Sequence, residues 1–76
     1  MSYIIIDIED DMPVDFTSRI FKKRSEAETV LAHHMIDMAT LNCDTAEEFR
    51  KAMKLFRNHS DADIANTTDY FEIVEL

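Results

Sequence analysis

The sequence predicts a small α+β domain, in which two helices pack on one face of a three-stranded sheet in the chain order β-β-α-α-β. Apolar runs rich in β-branched residues lie near both ends of the chain, as in strands. Two stretches between them repeat apolar residues at helical spacing. With 76 residues and 46% hydrophobic content, the chain has room for one domain, residues 1–76, and one small core.

The first predicted strand is Tyr3–Ile8, in which three successive isoleucines place large side chains on both faces. A strand of this kind suits a central position in a sheet. The acidic connection that follows contains Pro13, which has no backbone N–H to donate. The segment Phe16–Lys23 resumes an extended pattern and is predicted to pair antiparallel with the first strand.

The clearest helical periodicity lies in Ser25–Leu41, which is predicted as the first helix. Its apolar residues cover roughly 240° of the helix surface. This arc is wider than one packing neighbour needs, so the helix is expected to contact both the sheet and the second helix, with Leu31 in the core. Ser25 and Glu28 have the spacing of a capping box, which would fix the first turn.

The second predicted helix follows a short polar break and continues to about Asn58. Capping-box spacing occurs twice at its start, as Thr45 with Glu48 and as Asp44 with Glu47. The residues expected on its inner face are apolar: Ala46, Phe49, Ala52, Met53 and Phe56.

The polar stretch His59–Asp69 has room for a short third helix that begins at a Ser60 cap, with Ile64 and Ala65 facing inward. Tyr70–Leu76 is predicted as the last strand. If the first strand is central, the strands lie in the order second, first, third. The helix-free face of the sheet is then open to water or to a partner.

Charge and composition exclude several classes of function. The 16 acidic and 8 basic side chains give a net charge of −8, which disfavours direct binding of nucleic acid or of an anionic membrane and favours a basic protein partner. The absence of glycine excludes the phosphate-binding loops of dinucleotide-binding and P-loop proteins. No apolar run reaches the ~18 residues of a membrane span, and the N-terminus lacks a signal-peptide pattern, so the protein is expected in the cytoplasm.

The segment Ile4–Glu9 resembles the first acidic motif of the DEDD-type 3′ to 5′ exonucleases, in which an aspartate and a glutamate two residues later ligate a catalytic metal. That resemblance implies Asp7 and Glu9 as metal ligands. The chain lacks room for the further acidic motifs of that family. Both carboxylates are therefore predicted to form a polar strand end.

Histidine and cysteine form no complete site in the sequence. His33, His34 and Asp37 share a helix flank at metal-ligand spacing, but no cysteine or third histidine lies nearby, and His34 is expected to be half-buried. Cys43, the single cysteine, and His59 lack a third group that would orient them for nucleophilic catalysis. The protein is predicted not to be an enzyme and to use no catalytic residue, metal or cofactor.

The acidic residues form the predicted partner-binding set, arranged to copy the charge spacing of a nucleic-acid backbone. The set comprises Asp7, Glu9, Asp10, Asp11 and Asp15 around the hairpin, supported by Glu72 and Glu75 on the last strand. In size, acidity and single-domain architecture the chain resembles the small inhibitors encoded by phages and mobile elements, which include anti-CRISPR and anti-restriction proteins. That resemblance implies a non-enzymatic inhibitor that occupies a basic nucleic-acid-binding surface of a larger host defence complex, in the host cytoplasm.

Two alternatives concern other surfaces. A structural homodimer or larger homo-oligomer would use the apolar arc of the first helix, or the open sheet face, as its interface. Arg50, Lys54 and Arg57 lie on one line of the second helix, at a spacing suited to phosphate contacts. The alternative without a ligand is that these three residues form a solvated stripe that pairs with Glu47 one turn away.

Overall fold

The computed structural model describes residues 1–17 and 19–76, in which three antiparallel strands and three helices form a small α+β fold. The elements are β1 (Tyr3–Asp7), β2 (Met12–Pro13), α1 (Arg24–Thr40), α2 (Ala46–Lys54), α3 (Asp61–Asn66) and β3 (Phe71–Glu75). This arrangement confirms the predicted fold class, together with the short third helix.

β1 is the central strand, and β2 and β3 pair antiparallel on either side of it, in the predicted order. At one end of β3 the N–H of Leu76 donates to the carbonyl oxygen of Ser2 at 2.8 Å. Successive residues of a strand direct their backbone N–H and C=O groups to opposite sides. Alternate residues of β3 therefore direct these groups away from β1. These residues are Phe71, Ile73 and Glu75, and they form an outer edge with no further strand beside it in the described chain.

The second strand lies earlier in the chain than predicted. β2 is Met12–Pro13 rather than Phe16–Lys23, and residue 18 of that predicted segment lies outside the described residues. The N–H of Val14 donates to the carbonyl oxygen of Ile5 at 3.2 Å. The nitrogen of Pro13 therefore lies on the outer side of the pair, where its missing N–H removes no bond to β1.

Over the described residues, Phe21 makes the one β-bridge between the predicted second strand and β1. It exchanges two backbone hydrogen bonds with Tyr3, each 2.8 Å long, and its side chain is fully buried. Residues 15–17 and 19–20 lie outside the sheet, and β2 pairs with β1 in a different register from the Tyr3–Phe21 bridge. A single buried aromatic anchor thus replaces the predicted strand.

α1 does not start with the predicted capping box of Ser25 and Glu28. The helix begins at Arg24, after a cap residue whose side chain makes no capping hydrogen bond. The carboxylate of Glu28 instead accepts a hydrogen bond of 2.6 Å from the side chain of Asn66 on α3, and lies 3.7 Å from Arg24. Arg24 donates to the same Asn66 side chain at 2.8 Å. Tertiary contacts with α3 therefore replace the local cap.

α2 starts at a Thr45 cap, which confirms one of the two predicted alternatives. The hydroxyl of Thr45 accepts the N–H of Glu48 at 3.1 Å, while the Glu48 carboxylate accepts the N–H of Asp44 at 3.0 Å. The alternative start at Asp44 with Glu47 is wrong. α2 also ends before the predicted limit of Asn58, whose left-handed backbone, with φ 68°, is typical of a helix end.

α3 carries a complete capping box, which confirms the predicted Ser60 cap. The Ser60 hydroxyl accepts the N–H of Asp63 at 3.1 Å, and the Asp63 carboxylate accepts the N–H of Ser60 at 3.4 Å. Ile64 and Ala65 are buried, as predicted. Local sequence alone therefore fixes where this short helix begins.

The core lies between the helices and one face of the sheet. α1 contacts β1, β3, α2 and α3, which confirms that it packs on both the sheet and the second helix, and Leu31 is fully buried. The helices that reach the sheet are α1 and α3, whereas α2 contacts α1 but no strand in the described chain. The buried apolar cluster consists of Ile5, Val14, Phe21, Ala27, Leu31, Ala65 and Ile73.

Candidate protein-binding surface at the hairpin end

The turn between β1 and β2 is built by carboxylates rather than by glycine. Asp7 accepts the N–H of Glu9 on its side chain and the N–H of Asp11 on its backbone carbonyl, both at 2.9 Å. The Asp10 side chain accepts the N–H of Met12 at 3.3 Å. Asp11 has a φ of 56°, a left-handed conformation that aspartate adopts more readily than most residues. These bonds hold the acidic turn in one defined shape.

Around this turn the fold gathers six carboxylates, which we call the hairpin-end carboxylates. They are Asp7, Glu9, Asp10, Asp11, Asp15 and Asp69. The first five were predicted from the sequence, whereas Asp69 reaches the group because β3 pairs with β1 beside the turn. In the described chain none of the six pairs with a lysine or arginine. The surface therefore presents negative charge that has no internal cation to neutralise it.

The two predicted residues of the last strand lie apart from each other. Glu72 pairs with Ile6 near the hairpin end, whereas Glu75 pairs with Tyr3 at the opposite end of the sheet. The Tyr3–Glu75 pair is about 13 Å from the Asp7 end of β1, at ~3.3 Å per residue. Glu75 therefore does not join the hairpin-end carboxylates.

Exposed apolar side chains lie among the hairpin-end carboxylates. Ile8 is 45% exposed, Met12 58%, Met38 51% and Tyr70 68%. Tyrosine and methionine are enriched in protein interfaces, where their large side chains exclude water from polar contacts. We call these four side chains and the six carboxylates the hairpin-end surface. No pattern in the sequence indicates Met38 or Tyr70 as members of this surface, because tertiary packing brings them there.

A pocket of about 480 Å³ opens on this surface. Its lining includes the carboxylates of Asp7, Asp10 and Asp15 and the rings of Phe16, His34 and Phe71. The rings of Phe16 and His34 stack with centroids 3.6 Å apart, and Phe71 meets Phe16 edge-on at 5.5 Å. Aromatic rings and carboxylates that line one pocket suit the guanidinium or ammonium group of a partner, which can contact a ring and form an ion pair at once.

His34 is half-buried, as predicted, because its ring, on α1, packs against the rings of Phe16 and Phe71. Burial lowers the pKa of His34 below its ordinary value of 6.5, and the nearby Asp37 carboxylate opposes that shift. The neutral imidazole is therefore the form that the stacked arrangement favours.

Replacement of His34 by phenylalanine is expected to reduce the loss of stability in acid. With a lowered pKa in the folded state, His34 contributes stability that is full above pH 6.5 and lost as the pH falls towards the folded-state pKa. Urea unfolding between about pH 7 and pH 5 measures this difference. The control is His33→Phe at the neighbouring exposed position, which should keep the acid sensitivity of the native chain. Equal sensitivity in both variants would contradict the assignment.

Over residues 1–17 and 19–76, no three histidine, cysteine, aspartate or glutamate side chains are placed to hold a metal ion. The thiol of Cys43 lies 3.8 Å from the carbonyl oxygen of Ala39, at the end of α1. None of the helices in the described chain has the length and apolar character needed to cross a membrane.

Comparison of the chain with protein-family models, with curated proteins and with solved structures gave no match. Function is therefore inferred from geometry and charge. At the hairpin-end surface, unpaired carboxylates, exposed apolar side chains and a pocket of side-chain size coincide. This combination is typical of a protein-binding surface.

Proposed function

We propose that the protein is a non-enzymatic binding module whose hairpin-end surface attaches to a basic surface of a larger protein or nucleoprotein complex. The observation that carries this proposal is the group of six hairpin-end carboxylates, none of which has a lysine or arginine partner in the described chain. Carboxylates without internal partners are available to cations of another molecule. The net charge of −8 extends their attraction beyond direct contact.

The basic surface that we propose as the target is one that otherwise binds nucleic acid. A duplex carries one negative charge per ~1.7 Å of its axis, and proteins that bind it present dense arrays of lysine and arginine. A turn held by its own hydrogen bonds offers several carboxylates to such an array at little cost in conformational entropy. The protein would then act as an inhibitor and nucleic-acid mimic.

The class of partner and the compartment follow from the same proposal. Size and acidity resemble those of phage-encoded anti-defence inhibitors, so a defence complex in the host cytoplasm is the partner that we propose. The exposed Tyr70 and Met12 would supply the apolar centre of the contact. The pocket lined by Asp10 and Asp15 would receive an arginine or lysine side chain.

Competition with nucleic acid tests this function. The immobilised protein is incubated with a native lysate of the source cells, and the retained proteins are eluted with duplex DNA. We expect DNA to release basic nucleic-acid-binding proteins, because both ligands would occupy one surface. Retained proteins that resist displacement by DNA, or that bind no nucleic acid, would contradict the proposed mimicry.

A structural homo-oligomer is the second candidate, and the helix-free face of the sheet favours it. Ile4, Ile6 and Val74 lie on that face, and Leu76 beside them is 65% exposed. Face-to-face packing of two sheets would bury these side chains. Light scattering at two protein concentrations distinguishes a dimer from a monomer, and a concentration-independent monomer mass would remove this candidate.

A further inference from the structure

α2 is the least covered of the three helices in the described chain. It contacts α1 but no strand, and none of its residues is buried, although its sequence is strongly amphipathic. Two parallel stripes at the spacing i, i+4, i+7 run along it and into the turn that follows Lys54. The apolar stripe is Phe49, Met53 and Phe56, and the basic stripe is Arg50, Lys54 and Arg57.

Both stripes line one open groove between α2, α1 and α3, which we call the α2 groove. Its volume is about 560 Å³, and Ile36 and Ile64 extend its apolar wall. Phe49 is 48% exposed, so its ring is accessible to a partner. Asp61 is the one carboxylate among the described residues that line the groove, against three cations of the basic stripe.

The basic stripe has no internal partner. In the described chain, none of Arg50, Lys54 and Arg57 forms an ion pair or a side-chain hydrogen bond. Lys51, on the same helix but outside the basic stripe, does have a partner: its Nζ lies 3.9 Å from a carboxylate oxygen of Glu47. In a chain of net charge −8, three unpaired cations on one line stand out from the rest of the surface.

We propose that the α2 groove binds an acidic amphipathic helix of another protein. Such a helix presents an apolar stripe to Phe49, Met53 and Phe56, and carboxylates beside it to the basic stripe. Arg50 and Lys54 lie about 6 Å apart along α2 at 1.5 Å per residue, and Arg57 follows in the turn after the helix, so about two turns of a partner helix match the stripe. Helix binding in an apolar groove with anchors at i, i+4 and i+7 is an established mode of peptide recognition.

Charge and shape favour this ligand over nucleic acid and over a second copy. A polyphosphate would contact the basic stripe alone and gain little from the apolar stripe. Contact between the α2 helices of two copies would bring two basic stripes together, which repel. An acidic amphipathic helix can pack on the apolar stripe and form ion pairs with the basic stripe at once.

The test uses a fluorescent, capped helical peptide in which leucine and glutamate each repeat at i, i+4 and i+7. Fluorescence anisotropy with the full-length protein is expected to show saturable binding. A peptide of the same length, with lysine in place of each glutamate, is expected to bind at least about tenfold more weakly, because it loses its partners on the basic stripe.

Two double variants with equal net charge locate the contact. Lys54→Glu with Arg57→Glu is expected to weaken binding of the glutamate peptide by about tenfold or more, whereas Lys22→Glu with Lys23→Glu leaves it nearly unchanged. Each double lowers the charge by four, from −8 to −12. Phe49→Gln, which alters no charge, is also expected to weaken binding. Circular dichroism confirms that α2 remains folded in each variant.

Several results would overturn the proposal. Equal losses from the two doubles would assign the binding to net charge. Stronger binding of duplex DNA or single-stranded RNA than of the glutamate peptide, with loss in the Lys54/Arg57 double, would assign the groove to nucleic acid. A dimer that Phe49→Gln dissociates would assign it to a second copy. Absence of peptide binding to the native chain would remove the site.

Discussion

Leu31→Ala is expected to lower the free energy of unfolding by about 2 to 5 kcal/mol. Leu31 is fully buried in the cluster that joins α1 to the sheet, so the truncated side chain leaves a cavity in the core. A domain of this size has a total stability of about 5 to 15 kcal/mol at most, so the loss is a large fraction of it. Urea unfolding followed by circular dichroism measures the change.

Leu41→Ala is the matched control for this substitution. Leu41 directly follows α1 and is 80% exposed, so the same chemical change removes little buried surface. The expected effect is within about 0.5 kcal/mol. Equal urea midpoints for Leu31→Ala and Leu41→Ala would contradict the placement of Leu31 in the core.

Glu9→Lys combined with Asp15→Lys is expected to weaken binding to a basic partner by several kcal/mol, since close charge pairs across an interface couple by about 1.5 to 7 kcal/mol. Neither side chain forms a hydrogen bond within the described chain, whereas Asp7 and Asp10 hold the turn. The double therefore changes charge while it preserves the hairpin. Surface plasmon resonance with an arginine-rich peptide as the basic ligand measures the affinity.

Asp44→Lys combined with Glu75→Lys is the control with the same net charge. Both doubles raise the charge by four, from −8 to −4, but Asp44 lies between α1 and α2 and Glu75 at the opposite end of the sheet, so neither is a hairpin-end carboxylate. The native protein should also associate more slowly as salt rises, because charges are screened within about 8 Å at physiological ionic strength. Equal losses from the two doubles would mean that net charge, and no particular surface, determines binding.

The elements that could be predicted are those that local sequence determines. The strand at the β-branched run, the periodic α1 and the caps at Thr45 and Ser60 each depend on residues within one turn or one strand. The Ser25 cap failed because Glu28 has a stronger partner in Asn66, which lies 38 positions further along the chain. Sequence spacing alone does not show such a competitor.

β2 was misplaced for a related reason. A turn after β1 without glycine offered no standard signal, because Asp11 takes the left-handed position that glycine usually fills. Five of the six hairpin-end carboxylates, from Asp7 to Asp15, could be predicted, since they are close in sequence. Asp69, Tyr70 and Met38 could not, because strand pairing and the packing of α1 bring them there.

The two edges of the sheet differ, and that difference limits how the protein can aggregate. β2 has two residues and includes Pro13, so its outer side offers little to an added strand. The outer edge of β3 has backbone groups available along its length. A cross-β fibre needs two sheet edges on every molecule that can each accept a further strand. When two copies pair through β3, the open β3 edge of each copy is occupied by the other copy. Association through the sheet edge should therefore stop at two copies instead of propagating into cross-β filaments.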